Sequence, residues 1–91
     1  MSTRPDITHR APLTTQQIDA IMRSTTVAGA HPVPVHGREG AVDEVAIFHA
    51  GENLGSVFRP GDSGGIAVWI STGRQRRVSN PSAAVKAILN R

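Results

Sequence analysis

Cysteine and tyrosine are absent from this chain of 91 residues, and aromatic side chains are limited to Phe48, Phe58 and Trp69. Without cysteine there is no disulfide framework, no thiolate nucleophile and no cysteine-based zinc site. The fold must hold without covalent staples, which suits a reducing compartment. Long apolar runs are missing as well. The longest in the strand region, Ile66–Ile70, is five residues, against the roughly 20 that a membrane-spanning helix needs. Met1–Asp6 leads into no apolar stretch, so no secretory leader is expected and a cytoplasmic location is the expectation. With apolar residues at 38%, the chain can bury one thin core but not a deep cleft between subdomains. A binding role is therefore favoured over an enzymatic one.

Lysine is scarce too: nine of the ten cations are arginine, Lys86 being the exception. The net charge is +3, with an isoelectric point near 11.1. Its distribution is uneven. Residues 1–37 carry a net +1, residues 38–58 a net −3, and residues 59–91 a net +5. Arginine presents a planar fork that matches phosphate and carboxylate. Composition bias is one account of the general arginine preference and phosphate or carboxylate recognition the other; Arg74, Arg76 and Arg77 falling within four positions is harder to assign to composition.

The pattern along the chain reads as α+β. Residues 1–13 have no periodicity and are expected to form a flexible N-terminal arm; residues 14–91 form a single domain. Thr14 with Gln17 has the spacing of a capping box for a first helix over 15–24, whose Ile18, Ile21 and Met22 share one face. Residues 25–41 read as a long connection, with Val33–His36 a candidate edge strand because Pro32 and Pro34 hold it extended. Strands are expected over 42–50, 54–59 and 66–71, separated by turns at Gly51–Asn53 and Pro60–Gly65. Arg76–Ser79 is a candidate fourth strand. Asn80 caps a closing helix with Pro81 at its first position. The expected architecture is thus a three-stranded antiparallel meander, four-stranded if Arg76–Ser79 pairs, packed by a C-terminal helix and accompanied by a short N-terminal one. That closing helix should cover Val45, Ile47, Val57, Val68 and Val78.

The pentapeptide Gly61–Gly65 resembles the segment around the nucleophile of chymotrypsin-like serine proteases, and Ala28–His31 loosely resembles their histidine segment. The resemblance implies Ser63 as nucleophile, His31 as base and Asp43 as its orienting acid. That machinery needs a histidine held between two barrels, and this chain is too short to build them. A glycine-rich turn whose Asp62 and Ser63 bond to nearby backbone accounts for the motif. His9, His31, His36 and His49 lack the short fixed spacings of a metal site, so no metal and no cofactor is expected.

On the sheet face opposite the closing helix, Phe48 and Trp69 are expected with Arg59 and Arg77 nearby. Aromatics flanked by arginines suit nucleic acid, which they stack against and grip by its phosphates. The bland alternative is that Ile18, Ile21 and Met22 of the first helix cover that face. Leu54–Val57, Trp69 in the third strand and Ala83–Val85 opening the last helix resemble, in order, AP2-type domains and the arm-site-binding domains of tyrosine integrases. That resemblance implies DNA read through a three-stranded sheet. The expected function is a small non-enzymatic accessory or regulatory protein that binds nucleic acid through Arg59, Trp69, Arg74, Arg76 and Arg77. The competing expectation is a protein–protein interaction or homo-oligomerisation module that uses the N-terminal helix and the Phe48/Trp69 face.

Overall fold

Local chemistry sets both helices. The computed structural model describes residues 10–37, 40–61 and 65–90. Helix α1 (Thr15–Val27) opens on the capping box: Gln17 N donates to Thr14 Oγ1 at 3.0 Å, and Thr14 N donates to Gln17 Oε1 at 2.9 Å. It runs three residues past the expected end because Thr25 and Thr26 return their hydroxyls to the carbonyls of Ile21 and Met22, at 2.7 and 2.8 Å. These bonds satisfy the side chains without leaving the helix. Gly29, at φ +84°, then ends it. Gly29 N donates to Thr26 O and Ala30 N to Thr25 O, both at 3.0 Å, the paired bonds of a Schellman motif. Helix α2 (Pro81–Leu89) starts where Asn80 Oδ1 accepts from Ala83 N at 2.8 Å.

Among the described residues six strands accompany them: β1 (Arg10–Ala11), β2 (His31–His36), β3 (Val42–His49), β4 (Glu52–Pro60), β5 (Ile66–Ile70) and β6 (Gln75–Val78). Strands β2 to β6 form an antiparallel meander in sequence order, and β1 pairs with the end of β4. The sheet is therefore larger than the three or four strands expected. Besides the two-residue β1, two additions account for the difference. Arg76 and Arg77 pair with β5 despite their charge, because an edge strand leaves long side chains in water. The proline-bearing β2 pairs along β3 from His31 to His36. Pro32 and Pro34 are two apart, so their missing donors fall on the same side of the strand; as an edge strand, β2 tolerates that loss on its outer side.

The β3–β4 hairpin turns through Ala50 and Gly51, at φ +52° and +81°, one residue earlier than expected. Two central residues at positive φ are the mark of a type I′ loop, whose twist matches the flanking strands. A bulge follows, since Ile47 pairs with Gly55 while Phe48 pairs with Asn53. The extra residue, Leu54, stays in the core.

Both helices lie on one face of the sheet. Helix α1 sits over β2 and β3, α2 over β4, β5 and β6, and the helices touch each other. Ile21, Val45, Ile47, Val57, Val68, Val85 and Ile88 form the main core. Val57 and Val68 lie in it beneath α2 as expected and Val78 packs against it, whereas Val45 and Ile47 lie in it on β3, which α1 covers in place of α2. The first helix does not cover Trp69. Its Ile21 enters the Val45–Ile47 side instead, because the tight turn at Gly29 returns the chain directly into the adjacent edge strand. Phe58, Ala67 and Trp69 form a separate buried cluster on the opposite face. Residues 1–9 of the expected arm lie outside the described residues. Ala11 pairs with Arg59, Leu13 N donates to Val42 O at 2.9 Å, and the Leu13 side chain is buried in the core. Residues 10–13 are therefore part of the domain.

Candidate anion-binding groove

Strand alternation divides the arginines expected to act together. Val78 and Arg76 pair with Ile66 and Val68, so they share the helix-bearing face. Arg77 pairs with Ala67 and points to the other side. The β5–β6 connection brings Arg74 alongside Arg76. Gly73 sits at φ +101°, its N donating to Ile70 O at 2.8 Å, while Ile70 N donates to Arg74 O at 2.8 Å. The chain reverses tightly there, placing Arg74 at the mouth of the space between β6 and α2.

Helix α2 supplies the other wall. Ala83, Lys86, Ala87 and Asn90 recur at the i, i+3, i+4, i+7 spacing of one helical stripe, and all four line a groove against Ile70, Arg74 and Arg76. Its volume is about 610 Å³. The two alanines leave room where larger side chains would fill it, and with buried Ile70 they form a small apolar floor. Arg74, Arg76 and Lys86 are exposed at its rim. Among the described residues none of these three side chains is paired with a carboxylate, and no acidic residue lines the groove. Lys86 lies in the last turn of α2, where the carbonyl end of the helix favours a cation. That explains Lys86 but not the two arginines opposite it.

The remaining expected site residues lie elsewhere. Arg59 is half-buried on β4 and donates from Nη1 to Pro12 O at 3.2 Å, so it fastens the N-terminal segment to the sheet. Trp69 is 4% exposed, packed with Phe58 and Ala67 on the face away from Arg76. It offers no surface for stacking. Phe48 is half-buried at the start of the β3–β4 bulge. The structure thus brings together Arg74 and Arg76, adds Lys86, and leaves Arg59, Arg77 and Trp69 outside the groove. Lys86 was legible as a lone cation on the polar side of an alanine-rich helix, but its nearness to Arg76 is a tertiary fact.

Ser63, the nucleophile implied by the protease-like pentapeptide, lies outside the described residues. Of the other two implied residues, His31 is exposed on β2 and Asp43 is half-buried on β3. Among the described residues no group of three or more histidine or acidic side chains is placed to hold a metal ion. No described helix is long and apolar enough to cross a membrane. Comparison with protein-family models, with curated proteins and with solved structures finds no match.

Proposed function

We propose that this protein is a small non-enzymatic binding module that grips the phosphates of nucleic acid with Arg74, Arg76 and Lys86. One observation carries the reading: three cations from two separate elements converge on a single groove with no carboxylate side chain among the described residues that line it. Left unpaired, such a cluster is repulsive, and an anion entering it relieves that repulsion. Arginine forks engage phosphate oxygens in pairs, while Lys86 adds a point charge. Among the described residues the groove lining has no carboxylate, imidazole, hydroxyl or thiol side chain, the groups that carry general acid–base or nucleophilic chemistry. That favours binding over catalysis.

A mobility-shift titration with a mixture of short single-stranded and duplex DNA tests the reading. At low salt a complex should form, and the triple change Arg74→Ala, Arg76→Ala, Lys86→Ala should abolish it. No complex at 20 mM salt would dispose of the proposal. The apolar floor of Ile70, Ala83 and Ala87 favours a second reading, in which the groove takes an acidic extended segment of another protein. In that case an acidic peptide would bind and DNA would not.

A further inference from the structure

We infer that the groove takes a single nucleic-acid strand in preference to a duplex; this rests on the nucleic-acid reading above and narrows it. The unpaired cations line a recess walled on one side by β6 and on the other by α2, whereas a duplex presents two phosphate rows on a convex cylinder. The groove is open rather than enclosed, and its volume of about 610 Å³ is in the range of small-ligand sites, roughly 300–1,000 Å³. That accommodates a short stretch of one strand. The floor suits it as well. Ile70, Ala83 and Ala87 are aliphatic groups against which a sugar or an unpaired base can rest while its phosphates meet Arg74, Arg76 and Lys86.

Devices that read duplex DNA are usually a helix or a β-ribbon set into the major groove, with cations beside it for the flanking phosphates. Neither surface is equipped that way here. On α1, Arg23 is engaged by Asp19 at 2.8 Å. On the sheet face away from the helices, Phe58, Ala67 and Trp69 are buried rather than presented. The resemblance to sheet-reading DNA-binding domains would need that face. Arg77 lies on that face, whereas Arg74, Arg76 and Lys86 mark the recess between β6 and α2.

Fluorescence anisotropy with labelled decathymidylate and with a ten-base-pair duplex, each titrated with the full chain at several salt concentrations, decides the matter. Decathymidylate should bind at least about tenfold more tightly than the duplex. Three phosphate contacts to a single strand give a slope of log K against log salt of about −2, and each contact removed lowers it by about 0.7. Arg76→Ala and Lys86→Ala should each show that loss, whereas Arg23→Ala should leave binding unchanged. Equal or tighter binding of the duplex would overturn the single-strand preference and leave the nucleic-acid reading standing. No binding of either would overturn both. Displacement of decathymidylate by an equal concentration of octaglutamate would also overturn both, in favour of a protein partner.

Discussion

Gly55 is the position at which one added methyl group should do most harm. It lies in β4, opposite Ile47 on one side and Ile70 on the other, directly beneath α2. Its backbone is at φ +156°, where a residue with a Cβ is strained by about 1–3 kcal/mol. A Cβ there would also collide with the Trp69 carbonyl oxygen, and would press on Ile88 Cγ2 at 3.2 Å and Ile70 Cα at 3.3 Å. The carbonyl and the Cα belong to the sheet backbone and cannot swing aside. Overpacking of this kind costs about a further 1–3 kcal/mol. Gly55→Ala should therefore lose about 2–6 kcal/mol, the sum of the two effects. A domain of this length has about 5–14 kcal/mol in total, so the loss is a large share. Urea unfolding followed by Trp69 fluorescence measures it. With a slope of about 1–2 kcal/mol per molar, the midpoint should fall by 1 M or more without a change in slope. A midpoint within about 0.3 M of wild type, roughly 0.5 kcal/mol at that slope, would contradict this expectation. It would mean that Gly55 does not hold this backbone conformation close against β5.

Three other changes probe separate parts of the fold. Ala50 is a non-glycine residue at positive φ in a type I′ loop, where asparagine is the favoured occupant; Ala50→Asn should raise stability by about 0.5–1 kcal/mol, and a lowered melting temperature would contradict the turn assignment. Ile21 is completely buried between α1 and the sheet, so Ile21→Ala should cost about 2–5 kcal/mol in the same urea assay. Val27, on the same helix and 83% exposed, should tolerate alanine within about 0.5 kcal/mol. Trp69, being buried, should emit at short wavelength and resist quenching by acrylamide; strong quenching in the native protein would show that its face is open.

The fate of the two alternatives for Trp69 shows where reading residues in order loses its grip. Neither an exposed aromatic patch nor a cover provided by α1 matches the arrangement. Trp69 is buried, yet Ile18 and Ile21 pack on the other side of the sheet. Alternation along β5 correctly separated Ile66, Val68 and Ile70 from Ala67 and Trp69. The side of the sheet that a helix occupies depends on the connection leading out of it, and that is not written in the helix itself. Similarly, the bulge at Leu54 kept the expected inward residues Val45, Ile47 and Val57 in register. Without it, the early turn at Ala50–Gly51 would have shifted one strand by a residue and exchanged its faces.

What the residues settle alone is whatever can be completed within about five positions. The Thr14–Gln17 capping box, the Asn80–Pro81 helix start and the two-faced pattern of β5 belong to this class, because each partner is a near neighbour along the backbone. The groove is of the other kind. Arg74 and Arg76 reach it from a hairpin and Lys86 from a helix, and they meet only after α2 has docked on β4 and β5. Opposing that meeting is the mutual repulsion of three like charges, a cost of at most a few kcal/mol in exposed positions. Burial of Ile88, Val85 and Val68 beneath the helix, at about 1.5–3 kcal/mol for each side chain, is enough to impose it. The apolar core thus holds the cations close to one another, and that proximity is what an anionic partner would recognise.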